Sequence, residues 1–305
     1  MDERKLYDLV PMHSPEGVLD EARVILELIE PGFDDRAVTA AFSTAVRLFR
    51  GHYPGYRACS TEYHDLHHTT DTFLAMVRLI HGAVLEGCVI DGRAVTLGLI
   101  AALFHDAGYI QEEKDREGSG GKHTIRHVQR SMDFVGRHGR GHGLGAEEIG
   151  ICRNMILCTD LAVRTQEIGF SSGRDRLLGK MLGAADLLAQ MADRSYLEKL
   201  LFLYREFREG HVGDYESEAD LLRKTVGFYD LIERRMEEQL DNVDRFMEAH
   251  FIARWDIPTD LYHESIQNQR NYLRQILKMP DADPVEHLRR SSAADTARDK
   301  DRPKE

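Results

Sequence analysis

Apolar residues recur every three to four positions along most of the chain, and alternation with period two is rare. The eight prolines fall mostly outside these periodic stretches. Both features predict an all-α protein. A short amphipathic helix is expected over 16–30, stopped by Pro31-Gly32, and a second over 36–50 with Asp34 or Asp35 as its cap. After a loop at 51–59, a helix from about Thr61 carries YHDLHHTTDTFLAMVRLIH. The next segment, AVTLGLIAALFHDAGY, follows Gly92-Arg93 and has no charge over 96–104. A helix that is apolar on every side belongs in the middle of a domain. Residues 111–122 are polar and glycine-rich and read as a loop. Helical patterns return at 123–137, 146–159, 174–191, 195–208, 218–251 and 259–278. GRHGRGHGLG at 136–145 holds too much glycine for a helix and predicts a linker with solvated His138 and His142.

No internal repeat interrupts this pattern. It divides into an N-terminal helical extension (1–35), a core (36–210) and C-terminal helices packed on that core (211–285). The remaining 286–305 turn small and charged without periodicity and are expected to lack fixed structure. A chain of 305 residues can bury a large core without disulfide staples. Its 42% hydrophobic and 30% charged residues are those of an ordinary globular protein. A formal charge of −12 argues against binding polymeric nucleic acid, which needs a basic surface. A small phosphorylated ligand stays compatible, since one local cation can override an acidic average. Cys59, Cys88, Cys152 and Cys158 show no CxxC spacing and are expected to be free thiols. MDERKLYDLV at the start has charges of both signs and no apolar stretch, and no run reaches the length of a membrane span. The expected location is the cytoplasm, and a homo-oligomer is compatible with the chain.

Three segments place His or Asp where an apolar side chain would be ordinary. On the first, His64, His68 and Asp71 follow at spacings that share one helix face with Leu74 and Ala75. In the second, LIAALF runs straight into His105-Asp106, and Gly108 lets the backbone turn and approach closely. Asp186 is the third, alone among small and apolar residues in GAADLLA. A carboxylate left ionised and unpaired at such positions costs several kcal/mol. One divalent cation, which takes neutral imidazole nitrogens and carboxylate oxygens together, explains all three at once.

This ordered set, H…HD…D, resembles the HD-domain superfamily of metal-dependent phosphohydrolases. YHDLHHTTDT is similar to the YHNxxHxxDV signature of class I cyclic-nucleotide phosphodiesterases, and Ala185-Asp186-Leu187 to their distal ADL. A smaller bacterial branch, the predicted metal-dependent HD phosphohydrolases, fits over a longer stretch. The matching pieces are FHDAGY at 104–109, ILCT at 156–159, ADL at 185–187 and REF at 205–207. The resemblance spans about 36–210 and implies a helical bundle of the phosphodiesterase-like kind. It assigns His68, His105, Asp106 and Asp186 to a divalent ion, which manganese, iron, cobalt, nickel, zinc or magnesium could supply. It also places His64 where the phosphodiesterases protonate the leaving oxygen. An imidazole that titrates near neutrality suits that role.

The implied activity is hydrolysis of a phosphomonoester or phosphodiester, on a nucleotide or similar small molecule, with Asp106 or Asp186 orienting the attacking water. Asp71 is expected to orient one of the histidines, and His67 to be a bystander. Tyr63, Thr159, Tyr196 and Arg205-Glu206 are read as packing and supporting groups. The chain departs from the phosphodiesterases at Asp65, where they have asparagine, and at Tyr109, where they have histidine. It also lacks a counterpart of their purine-clamping glutamine. Lys122, Arg126 and Arg130 are candidates to receive phosphate oxygens. Two rival readings remain open. A di-iron oxygenase would need extra ligands from His123 and His127, and a non-catalytic regulatory protein would keep the fold around a structural ion.

Overall fold

The computed structural model describes residues 4–279 and 283–288. Among these, eleven α-helices and several short 3-10 turns make up the regular structure. No strand occurs in the described residues, and Tyr56 and Glu112 form one isolated antiparallel bridge. The fold is all-α.

Side-chain caps set most helix starts, each satisfying an otherwise orphaned backbone N–H. Ser14 accepts from Gly17 N at 3.2 Å to open α1 (Pro15–Ile29). After α2 (Arg36–Phe49), Asp65 accepts from His68 N at 2.8 Å and opens α3 (Leu66–Leu85). Asp91 does the same for α4 (Gly92–Phe104), accepting from Ala94 N at 2.9 Å. Then come α5 (His127–His138), α6 (Ala146–Leu157) and α7 (Gly173–Ala192), the last capped by Ser172. The chain continues through α8 (Tyr196–Gly210), Ser217-capped α9 (Glu218–Glu238), α10 (Phe246–Trp255) and Asp260-capped α11 (Leu261–Ile276).

The hub is α3. Every residue over 68–83 is buried, with α1, α4, α7 and α10 packed around it. The charge-free α4 is likewise buried over 94–104, as its uniform apolarity predicts. Contact between α3 and α10 depends on glycine. A Cβ on Gly82 would fall 1.8 Å from the Phe246 carbonyl oxygen, so any side chain would push the helices apart. No helix among the described residues is long and apolar enough to cross a membrane. All four cysteines are unpaired.

Several boundaries differ from the periodic reading. The helix expected from Thr61 begins at Leu66, because the Glu206 carboxylate accepts from Glu62 N (3.0 Å) and Tyr63 N (2.8 Å) and holds 61–65 as a loop. His64 therefore lies before the helix and does not share its face with His68 and Asp71. The single helix expected over 218–251 is broken by Asp241 and Asn242, which take φ of 55° and 49°. That turn keeps Leu240, Val243, Phe246 and Met247 in the core, where a straight helix would carry them away. Residues 120–126 form a 3-10 turn, and α-helix starts only at His127. In the other direction, α5 runs through His138 despite its glycines, and His138 is half-buried. Its Nδ1 and Nε2 each lie 3.1 Å from a tyrosine hydroxyl, those of Tyr53 and Tyr56. His142 is also half-buried, tilted against Phe104 at 5.2 Å. Of the tail expected to lack structure, 286–288 end a short turn with Leu288 buried, and 289–305 lie outside the described residues.

One buried polar contact in this frame has a pH consequence. His81 Nδ1 and His250 Nδ1 sit 3.0 Å apart between α3 and α10, so one donates and the other accepts. Burial, then Arg254, lowers the pKa of His81. Burial, then Arg78, His81 and Arg254, takes His250 well below the usual histidine value. The unfolded chain then binds protons at a pH where the folded one does not, so stability falls as pH drops below about 6.5. We expect the thermal midpoint to decline from about pH 7 to about pH 5.5, and the double substitution H81L/H250F to flatten that slope. An equally steep slope in the variant would show that this pair does not carry the effect.

Candidate metal centre

Three helices deliver the four side chains picked out in the sequence. His68 stands in the first turn of α3, His105 closes α4 with Asp106 next to it, and Asp186 lies in the buried middle of α7. All four are buried. His68 Nε2 is 3.3 Å from Asp106 Oδ2 and 3.0 Å from Asp186 Oδ1. His105 Nε2 is 3.3 Å from Asp106 Oδ2 and 3.5 Å from Asp186 Oδ1. The two Nε2 atoms are 3.3 Å apart. One donor atom from each of His68, His105 and Asp106 lies within 4.8 Å of the other two, a group that could hold a metal ion.

The donor set fits a metal ion. His105 Nδ1 lies 2.8 Å from the Ala102 carbonyl, which can only accept, so Nδ1 carries the proton and neutral His105 points a lone pair inward at Nε2. Asp106 Oδ2 is buried with no hydrogen-bond partner among the described residues. Metal–ligand bonds of about 2.1 Å put neighbouring donors about 3.0 Å apart in an octahedron and about 3.4 Å apart in a tetrahedron. The three separations among His68, His105 and Asp106, each 3.3 Å, fall in that range, whereas Asp186 approaches the two imidazoles without joining that group. Without an ion the cluster would have to form imidazolium–carboxylate pairs. Burial works against charge on His68, but Asp106 and Asp186 outweigh it and push its pKa up to about 9. Burial would likewise raise both carboxyls, yet the two imidazoles hold Asp106 and Asp186 well below the usual carboxylate range.

Neighbours hold this geometry. Asp186 Oδ1 accepts from Gln190 Nε2 at 2.7 Å, and Tyr63 donates to Gln190 Oε1 at 3.0 Å. The turn after Asp106 is pinned to α5, where Ser131 Oγ accepts from Gly108 N at 2.9 Å. Arg130 donates to the carbonyls of Gly108 (2.6 Å) and Ile110 (2.9 Å). A Cβ on Gly108 would fall 1.9 Å from the His127 carbonyl oxygen, so the close approach expected of this glycine is real.

His64 lies beside the cluster on its loop. Its Nδ1 is 2.6 Å from Glu206 Oε2, and its Nε2 is 3.5 Å from the Tyr109 hydroxyl. The Tyr109 ring is sandwiched between two imidazoles, 4.2 Å from His64 and 4.6 Å from His127. His127 Nδ1 donates to the Thr124 carbonyl at 2.6 Å, and its Nε2 reaches within 3.8 Å of Asp106 Oδ1.

Other sequence candidates separate. His123 turns away from the cluster to Asp115 at 3.1 Å, so it and His127 do not act together. Asp71 Oδ1 lies 3.5 Å from His67 Nδ1 and has no hydrogen-bond partner among the described residues. Of the three cations offered for phosphate, Arg130 is committed to backbone carbonyls and Lys122 to Asp115 and the Glu117 carbonyl. Arg126 is exposed. Sequence reasoning undervalues Glu206, which reads there as a supporting group and yet holds both His64 and its loop; the REF triplet is the one signal for it. Gln190 gives no signal at all. No family model matches the chain, and no curated protein matches it.

Removing divalent ions gives a direct test of this centre. An ion at a hundred times its Kd adds roughly 2.7 kcal/mol, about 4 °C in Tm for a chain of this size. We expect EDTA to lower the midpoint by that order, and Asp106→Ala to abolish both the shift and the bound metal in elemental analysis. A wild-type midpoint indifferent to chelator and to added ions would reject the centre.

Proposed function

We propose that this protein is a metal-dependent phosphohydrolase of the HD type, cleaving a phosphate ester of a nucleotide or similar small molecule. One observation carries the reading. Donor atoms of His68, His105 and Asp106 lie 3.3 Å from one another, Asp186 lies 3.0 and 3.5 Å from the two imidazoles, and a His64–Glu206 pair stands beside them. In this reading all four side chains hold the ion, Asp186 through the oxygen it turns toward both imidazoles.

A divalent ion held there supplies Lewis-acid polarisation of a phosphoryl oxygen and lowers the pKa of a nearby water toward neutrality. The protein's own groups do the rest. Asp106 offers its second oxygen, on the His127 side, to orient that water. Glu206 fixes the proton on His64 Nδ1, and in its doubly protonated form the ring has an Nε2 proton to give to the departing alkoxide. The stacked Tyr109 ring keeps the imidazole plane from rotating. Tyr63 and Gln190 keep Asp186 turned toward the imidazoles. The oxygenase reading loses support because it needs ligands from both His123 and His127, and His123 faces Asp115.

The informative experiment pairs elemental analysis of the purified protein with an activity screen on nucleotides and cyclic dinucleotides under several divalent ions. Turnover is expected with at least one ion. His64→Ala should lower kcat by about two to four orders of magnitude while metal content stays the same. Glu206→Gln should give a smaller loss with the metal equally retained. Full activity in His64→Ala would remove the general-acid assignment. Full metal occupancy without turnover on any phosphate ester would favour a regulatory protein.

A further inference from the structure

We propose that Asp71 and Lys199 hold His68 in place through one ordered water, which makes Asp71 a positioning residue for the metal ligand. The proposal rests on the metal centre described above and on no step of the hydrolysis. A metal-bound imidazole ordinarily donates its second nitrogen to an acceptor, which fixes the ring and raises its basicity. His105 does so through the Ala102 carbonyl at 2.8 Å. His68 is engaged at its backbone N and at Nε2, and no protein acceptor meets its Nδ1 among the described residues.

A cavity of the right size lies against that ring. Between α3, α7 and the start of α8 the packing leaves about 10 Å³ for the centre of a water molecule, enough for one. His68 and Asp71, one turn apart on α3, both border it, and Ala189 of α7 and Lys199 of α8 close it. Most other polar groups around it are already committed. Gln190 Nε2 donates to Asp186, and its Oε1 accepts from Tyr63. Asp193 Oδ1 accepts from Ser195 N at 2.7 Å, while Oδ2 pairs with Lys199 Nζ at 2.5 Å.

The groups left over match a water in number and polarity. Asp71 Oδ1 is sealed by packing. Asp71 Oδ2 and His68 Nδ1 make no hydrogen bond among the described residues either, but both keep surface that a water can touch. No direct pair links the two side chains. Lys199 has three N–H groups, of which Asp193 takes one. A water accepts from His68 Nδ1 and from Lys199, and donates to Asp71 Oδ2. Three partners are typical of a buried water. The ring is then fixed with its Nε2 lone pair turned toward Asp106 and Asp186, as the metal centre requires.

The test is the zinc affinity of the full chain, measured by competition with a chromophoric chelator, beside the thermal midpoint of the metal-free protein. It needs no turnover, so the hydrolase reading can fail separately. Asp71→Asn keeps the shape and removes the charge, and Ala189→Val fills the cavity without touching a charged group. Each is expected to weaken zinc by roughly 10–100-fold. Because both act through the same water, the double variant should bind about as well as the weaker single one. Circular dichroism checks that the variants fold. A lower metal-free midpoint with zinc affinity unchanged in both single variants would mean a packing role only and would overturn the proposal. So would losses that multiply in the double variant. Wild-type protein that binds no zinc would reject the centre itself and this proposal with it.

Discussion

Buried imidazoles and carboxylates that face one another, and need a proton or a cation among them, set the terms for the rest of this molecule. His68 Nε2, His105 Nε2 and Asp106 Oδ2 stand 3.3 Å from each other in a region closed to water. Such a group repels itself unless positive charge lies among it. The surrounding helices must therefore resist that repulsion or be relaxed by an ion. The packing is arranged to resist. The central α3 is buried almost from end to end, and the turn after Asp106 is tied to α5 by Ser131 and by both arms of Arg130.

A common device recurs in the imidazoles around this point. His105 gives its Nδ1 proton to the Ala102 carbonyl, His127 to the Thr124 carbonyl and His64 to the Glu206 carboxylate. Each ring is thereby fixed in orientation, with Nε2 left for the interior. The acceptors are not equivalent. A carbonyl acceptor carries no net charge, which suits a ring that ligates through its other nitrogen, whereas a carboxylate sets a full negative charge behind its ring, which suits a proton donor. That difference separates His64 from His105 by chemistry as well as by place.

The legible part of the site was the part written in local contrast. His105-Asp106 after six apolar residues and Asp186 amid alanines and leucines stand out because burial makes them costly, and the structure gathers both with His68. Less visible was anything decided by distant partners. Glu206 is 142 residues from His64, and it converts the start of an apparently continuous helix into a loop. Periodicity cannot register that competition, because Tyr63 and His64 keep helical spacing with the residues of α3. The break at Asp241-Asn242 escaped for the same reason, since the apolar positions on either side remain in phase. His138 and His142 were misjudged through their glycines, although the tyrosines that enclose His138 lie more than eighty residues earlier.

Helix α7 shows how tightly these demands interlock. Residues advance by about 100° per position along a helix, so Asp186 and Gln190 share one face while Leu187, Leu188 and Met191 turn to another. The first face meets the imidazoles of α3 and α4, and the second lines a cleft against α9 and α11. Sliding the sequence one position one way would place Leu187 against the two imidazoles, and one position the other way would carry Asp186 into the apolar cleft. Both errors cost several kcal/mol, and no local rearrangement repairs them in an interior this densely packed. The register of α7 is therefore dictated from both sides at once, which is why an acidic residue can persist at the centre of a helix buried over nearly its whole length.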